Sequence, residues 1–531
     1  MMKIGMRKKH VQVLVVSALA VCVLAGCTFT EQQVIYPKPE KPDVDAVVEV
    51  NADTVMEKNF LGVGVQWSSY PWWDISDKDW EKLFRRVEYM KLPFVRVMID
   101  AFWYCQGFDS FGKPVYVWDT SYMKKLYRLL DWCQANNTTV MFGEWGRPEG
   151  SDLNLKTEDP AWTKIIGDCM VYLLAEKGYT CIKYYNLINE PHGWWTYITF
   201  EQWKTAINNL HTEFVKRGIR DKIMIASPDA SRIWTTKVLN DNQLNAQTDI
   251  YDEHWYLRNR EITGGAVERY TRDQIRQIQR KDPGSQYFLG EIGILDGRND
   301  QDQQREVYKF WYGVSMADAA IQCIRGGMSG FKAWDLDDAM HFYGDGGESM
   351  NALSDKLPEN AYDVRKIWGF WNIVGAEQGN NPEDEYIRPW FYTWSLLSRN
   401  FPAGCQTLDV DDSGVYNLRV AAARIPDQWG KYHLSFAVVN NSDDKRKAHI
   451  VVPKAGQNVT LAGFEYFDAD NDNKVDAWPQ VVDTAGNDIF PSVTKTMRNI
   501  DLTVGLTVSL PTKGVVILTT LEKGSPIPLK W

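Results

Sequence analysis

Hydrophobic and polar positions fall into two textures along the chain. From about Asn59 to Asn400, short apolar runs of strand length alternate with longer stretches whose apolar residues recur at helical spacing. The strand-like runs are Leu61–Trp67, Pro93–Ile99, Thr138–Glu144, Ile182–Glu190, Lys222–Ala226, Asp249–Tyr256, Gln286–Glu291 and Gly330–Trp334. Helical patterns lie between them at Ser76–Lys91, Ser121–Asn136, Ala161–Lys177, Phe200–Arg217, Thr271–Arg280 and Gln303–Ile324, with Ser76 and Ser121 as capping signals. Eight strands alternating with helices predict a (β/α)8 TIM barrel. A doubly wound open sheet is the rival. It calls for a glycine-rich phosphate loop after the first strand, and Gly62-Val63-Gly64-Val65 lacks the third glycine and the helix start.

After Asn400 the runs shorten: Val415–Ala422, His433–Asn440, Ala448–Val452, Phe464–Phe467, Ile500–Thr503, Thr507–Leu510 and Val515–Thr519, separated by turn residues. That texture predicts an antiparallel β-sandwich. The fold class is therefore α/β, a barrel over residues 46–400 followed by a C-terminal sandwich over 401–531. Val47–Val55 is also strand-like and is free to join that sandwich.

The start of the chain is an address. Lys3, Arg7, Lys8 and Lys9 precede an apolar run from Val11 to Ala25, then Gly26 and Cys27, as in a secretory signal. Leu24-Ala25-Gly26-Cys27 resembles a bacterial lipobox, which implies lipidation of Cys27, a membrane anchor and a place in the cell envelope, at the outer membrane or cell surface. Residues 28–45, with Pro37, Pro39 and Pro42, read as a tether. Cys105, Cys133, Cys169, Cys181, Cys323 and Cys405 show no CxxC pair and no metal spacing. No metal and no cofactor is expected.

Charge and composition narrow the partners. A formal net charge of −10 offers no field for nucleic acid. No internal apolar run approaches the ~20 residues that cross a bilayer. The chain carries 23 Trp, 25 Tyr and 21 Phe, side chains that fill cores and also form flat platforms for sugar rings.

In a barrel of this kind chemistry sits at the C-terminal ends of the strands. Those ends carry Arg96, Glu144, Asn189-Glu190-Pro191, His254, Tyr256, Glu291 and Trp334. Asn189-Glu190-Pro191, together with Gly290-Glu291-Ile292-Gly293, resembles the clan A glycoside hydrolases, with family 5 cellulase-like enzymes as the nearest variety. The 101 residues from Glu190 to Glu291 suit three intervening β/α units. The resemblance implies a retaining, two-glutamate hydrolysis of a β-linked polysaccharide or oligosaccharide, endo or exo, with Glu190 as acid/base and Glu291 as nucleophile. Such a route needs the carboxyl groups ~5–5.5 Å apart. It also needs them to differ, Glu190 protonated and Glu291 ionised.

Arg96 stands in an apolar strand and needs a carboxylate partner; Glu291 in that place would have its pKa lowered. His254-Trp255-Tyr256 matches the family's His-x-Tyr pattern, and Tyr256 is expected to donate to Glu291. Asn189 is expected to hold a sugar hydroxyl and Trp334 to form a stacking floor. Glu144, Trp145, His192, Trp194 and Trp195 are further substrate-contact candidates, with a structural salt bridge as the alternative for Glu144 and loop packing for the others. Trp72-Trp73, Trp103-Tyr104 and Asp335, Asp337 and Asp338 are weaker candidates of the same kind.

Two rival functions remain at this level. A non-catalytic surface carbohydrate-binding lipoprotein would need no nucleophile. A metal-dependent hydrolase would need a His/Asp cluster, yet of seven His only His254 lies at an expected strand end. Asp468–Asp476 resembles a calcium loop but has Asn473 and Pro479 where Gly and Glu belong, and reads instead as a hairpin turn. Trp429 and Trp478 are platforms or core, and the sandwich reads best as a brace against the barrel.

Overall fold

The computed structural model describes residues 43–70, 73–148, 153–193, 196–300, 302–339, 341, 366–378, 382–467 and 486–527. Cys27 and its leader, the tether up to residue 42, Trp72, Trp194, Trp195, Trp478 and the Asp468–Asp476 run lie outside the described residues.

Eight parallel strands close into a barrel in sequence order. They are Val63–Gln66, Phe94–Ile99, Thr139–Glu144, Ile182–Asn186, Met224–Ala230, Ile250–Leu257, Gln286–Ile294 and Gly330–Ala333. Each expected strand is present, because a strand covered on both faces reads as a continuous apolar run. The ends shift where that reading fails. The fourth strand stops at Asn186, so Asn189 and Glu190 stand on the loop beyond it, while the fifth runs on through Ser227-Pro228-Asp229 to Ala230. Leu61, Phe94, Met141, Tyr184, Ala226, Ile250 and Phe288 form an apolar cluster at the strand beginnings and plug the barrel floor.

The helices follow the apolar periodicity. Asp77–Met90 is capped by Ser76, whose Oγ accepts from the Asp79 N–H at 3.2 Å. The second helix, Ser121–Ala135, is capped by Thr120 rather than by the expected Ser121; Thr120 Oγ1 accepts from the Met123 N–H at 3.2 Å. The expected helix Gln303–Ile324 is divided into a 3-10 turn, Arg305–Tyr308, and a helix, Phe310–Gly326, that is buried nearly all round. Burial on every side follows from its place between the barrel, the helix Pro389–Asn400 and the second sheet.

Among the described residues nine strands form that sheet: Ala46–Glu57, Gln406–Val410, Leu418–Pro426, Tyr432–Asn440, Arg446–Val451, Val459–Tyr466, Lys495–Ile500, Leu506–Leu510 and Gly514–Thr519. Its two halves enclose one core that includes Val48, Val50, Leu408, Phe436, Ile450 and Leu518. Pairing is antiparallel except that Ala46–Glu49 runs parallel to Ala448–Val451. The edge strand Lys495–Ile500 lies before the expected Ile500–Thr503, where the chain instead turns at Asp501. Sandwich and barrel are joined by buried polar contacts: Arg419 pairs with Asp318 at 2.8 Å, and Arg325 Nη1 donates to the Val420 carbonyl at 2.8 Å. Phe310 stacks on Tyr466 with ring centroids 4.4 Å apart. The six described cysteines are free and buried, as small apolar fillers.

Candidate active site

At the C-terminal mouth of the barrel one hydrogen-bonded network joins five strands. Arg96 is its hub and is fully buried. Nη1 donates to Glu291 Oε1 and to Gln66 Oε1, both at 2.9 Å, and Nη2 donates to Asp229 Oδ2 and Asn189 Oδ1, both at 2.6 Å. Tyr256 Oη donates to Glu291 Oε2 at 2.5 Å. His254 spans the gap: Nδ1 lies 2.8 Å from Glu190 Oε1 and 3.4 Å from Glu291 Oε2, and Nε2 lies 3.0 Å from Asp229 Oδ1. Carboxylate oxygens of Glu190 and Glu291 come within 4.8 Å of each other around the His254 ring nitrogen.

The loop after the fourth strand is pinned to deliver Glu190. The Asn189 N–H donates to the Glu144 carbonyl at 2.9 Å and the Glu190 N–H to the Asp229 carbonyl at 3.2 Å. Glu190 itself has φ +43, a left-handed conformation that a residue with a side chain adopts only when its surroundings impose it. Gly290, just before Glu291, is required by close approach: a Cβ there would stand 2.6 Å from Asp252 Oδ1 and 3.0 Å from Asp229 Oδ1.

Charges in the network are mutually set. Burial pushes Asp229 up, but Arg96 and His254 together hold it far below the usual carboxylate range. Burial opposes the His254 cation, and the charges of Glu291 and Asp229 overcome it, so His254 stays an imidazolium well above its ordinary range. Burial also opposes ionisation of Glu190, yet the hydrogen bond and charge of His254 hold it below its ordinary value. Glu291 is raised, mainly by burial, with His254, Arg96 and Tyr256 working the other way. The two cations, Arg96 and His254, face three carboxylates, so the titration of the Glu190–Glu291 pair belongs to both. The expected order of proton affinity, Glu190 above Glu291, is reversed. The cause is the His254 Nδ1 hydrogen bond to Glu190, which the sequence does not display.

Among the described residues two carboxylate–imidazole groups offer ligand atoms within 4.8 Å of one another, Glu190–His254–Glu291 and Asp229–Asp252–His254. Both ring nitrogens of His254 already face carboxylates and Arg96 supplies further positive charge, so the donor set suits proton traffic better than a metal ion.

The remaining candidates divide. Trp334, half-buried after the eighth strand, meets Trp145 edge-on at 5.9 Å, and the Trp145 ring lies 5.8 Å from the Arg96 guanidinium, so both rings flank the network. Glu144 is buried apart from it, accepting from Tyr185 Oη at 3.3 Å, and burial with the nearby Asp100 charge raises its pKa well above the ordinary value. With Asp100, Phe102, Trp145 and Arg147 it lines a cavity of about 320 Å³ beside the mouth. His192 is exposed, with its ring centroid 6.5 Å from that of Trp234. Trp103 and Tyr104 are core. Asp338 pairs with buried Arg388 at 2.6 Å, and Asp337 accepts from Tyr70 Oη at 3.0 Å, so these acids brace their loop.

Sequence reading missed Asp229 and Gln66. Asp229 hides in Ser227-Pro228-Asp229, which has turn composition. Gln66 is a lone polar residue in an apolar run, and that isolation is the signal by which it was findable.

No family model matches this chain, and no curated protein matches it. Solved structures do resemble it. The catalytic domain of GH30 xylanase C from Talaromyces cellulolyticus superposes with a TM-score of 0.58 at 13% identity, covering 89% of this chain and 99% of that one. A monomeric β-xylosidase from Caulobacter crescentus gives 0.56 at 13% identity, covering 91% and 100%. A conserved exported protein from Bacteroides fragilis gives 0.57 at 11% identity, covering 89% and 100%. At such identities the likeness is one of fold: a barrel carrying a sandwich. A GH30 subfamily 8 xylanase from Clostridium acetobutylicum and a GH39 enzyme from Xanthomonas axonopodis are similar in the same way, with TM-scores of 0.57 and 0.55 at 14% identity.

Proposed function

We propose that this chain is a retaining glycoside hydrolase acting on a β-linked polysaccharide or oligosaccharide, with Glu190 as acid/base and Glu291 as nucleophile. The observation that carries the reading is the approach of Glu190 and Glu291 to within 4.8 Å on the loop after the fourth strand and on the seventh strand, with Arg96 and Tyr256 both directed at Glu291. That spacing suits a carboxylate attacking the anomeric carbon while its partner protonates the leaving oxygen from the same side. A binder has no use for a nucleophile held this way.

The reversed proton order fits a role for His254. Passing its Nδ1 proton to Glu190 makes Glu190 the acid and leaves a neutral imidazole still held by Asp229 through Nε2. Glu190 hands that proton to the departing sugar oxygen. In the second half Glu291 is an ester and carries no charge, so it no longer raises the proton affinity of Glu190, which is ionised and serves as base toward water. Arg96 and Tyr256 stabilise the Glu291 carboxylate before attack and after release. Trp145 and Trp334 are placed to stack against sugar rings. The likeness to a xylanase and a β-xylosidase makes xylan and its oligosaccharides the first substrates to try. Export and anchoring through a lipidated Cys27 would place the activity at the cell envelope.

The test is reducing-sugar release by the full chain from xylan, β-mannan, β-glucan, arabinan and galactan, run beside Glu291→Ala. Release from one glycan that the variant abolishes supports the reading. Release that persists in a folded Glu291→Ala variant overturns the assignment of the nucleophile, and silence of the wild type across the panel overturns the activity.

A further inference from the structure

Beneath the carboxylate network the barrel interior holds two charged residues that the proposed chemistry leaves unused, Lys332 and Asp252. Both are fully buried. The Lys332 stem lies over Gly64, where a Cβ would stand 3.2 Å from Lys332 Cγ, so the missing side chain makes room for it. Its Nζ sits 4.0 Å from the Phe94 ring centroid and 3.7 Å from that of Phe288, with no hydrogen-bond partner among the described residues. Asp252, on the sixth strand, accepts no hydrogen bond from a described donor. Oxygens of Asp252 and Asp229 come within 4.8 Å of each other beside His254. A buried carboxylate without donors carries its full desolvation penalty, and so does an ammonium facing only ring faces. Asp252 is relieved by staying a neutral acid whose proton points at Asp229. Lys332 is relieved by giving up its proton.

We propose that Lys332 and Asp252 form a proton-holding layer under the active site, positioning residues that set the pH range over which Glu190 and Glu291 carry their charges. Facing this layer are Arg96 from the second strand, Asp229 from the fifth, His254 from the sixth and Glu291 from the seventh. Burial lowers Lys332 to about 7 against the pull of Asp252, and burial with the Asp229 charge raises Asp252 well above its ordinary range. Charging Lys332 on the acid side of that value adds a cation to a group that already holds Arg96 and His254. The added cation favours the ionised form of the two glutamates. On the alkaline side Lys332 is neutral and that help is absent. The pH-rate part of this inference rests on the glycosidase reading; the layer itself does not.

Stability against pH tests the layer without any substrate. Between about pH 7 and the ordinary lysine value the unfolded chain holds a proton that the folded chain lacks, so folding is favoured as pH rises through that window. The unfolding constant of the wild type relative to Lys332→Met should therefore fall by up to about tenfold per pH unit from pH 7 to 10, in denaturant titrations of the full chain. Lys332→Gln is the second neutral variant if Met does not fold. Parallel wild-type and variant curves would overturn the proposal.

The pH-rate profile tests the coupling. Loss of the cation should move the acid limb of kcat/KM upward by about half to one unit. A residue with only a packing role would lower kcat/KM without moving that limb, and an unmoved limb overturns the coupling. Should the wild type hydrolyse no glycan, the glycosidase reading fails while the stability comparison still decides on the layer.

Discussion

Asp229→Asn removes one charge from the network and keeps its shape. Arg96 Nη2 donates to Asp229 Oδ2 at 2.6 Å, so the amide carbonyl must take that position. The amide NH2 then faces His254 Nε2, 3.0 Å away, and that nitrogen must become an acceptor. The imidazolium is forced to a neutral ring with its single proton on Nδ1, toward Glu190. A unit charge at 3.0 Å in an effective dielectric of ~20 is worth about 5.5 kcal/mol, or about 4 pKa units, as an upper bound. The uncompensated Arg96 cation pushes the same way, so His254 falls from its raised position and loses its second proton far more readily. Glu190 loses a charge-assisted hydrogen bond and holds its proton more tightly, which impairs it as the acid toward the leaving oxygen. The expected cost is about a hundred- to a thousandfold in kcat/KM on the responsive glycan. The ¹⁵N shifts of His254 should show an unprotonated Nε2 at pH 7. A variant within threefold of wild type, or one whose His254 remains doubly protonated at pH 7, would refute the reasoning.

Tyr256→Phe deletes the hydrogen bond to Glu291 and leaves burial less opposed; the acid limb of kcat/KM should rise by about one unit and kcat should fall about tenfold, and an unchanged pH profile would rule out that role. Gly290→Ala places a methyl group 2.6 Å from Asp252 Oδ1, and denaturant titration should find the fold weaker by about 1–3 kcal/mol; a loss below about 0.5 kcal/mol would show that the two carboxyl groups do not crowd this position.

The barrel was legible because its strands are buried on both faces and so stand out as apolar runs with helical spacing between them. Glu190 and Glu291 were legible because each is set off by residues with a backbone reason to be there, Pro191 after one and Gly290 before the other. The proton order was not, since it depends on His254 Nδ1 reaching across from another strand. Asp229 was lost because proline and aspartate signal a turn, while in this barrel they continue the fifth strand to the mouth. Lys495–Ile500 was displaced for a different reason: as a solvated edge strand it has no apolar alternation to read. Lys332 did leave a trace, a lone charge inside an apolar strand, whereas Asp252 sits beside Glu253 and His254 and does not stand out.

The strand Ala46–Glu57 lies inside the second sheet, between Gln406–Val410 and Arg446–Val451. A chain emerging from its N-terminus presents this strand first, yet its partners arrive about 350 residues later, as between Glu57 and Thr407. Such a separation in sequence makes closure of the sheet a late, high-contact-order event. Until then both edges of the strand expose unpaired N–H and C=O groups. A chain broken off anywhere within the barrel would keep those edges open permanently, a mark of incompleteness that chaperones and proteases can read before any activity is lost.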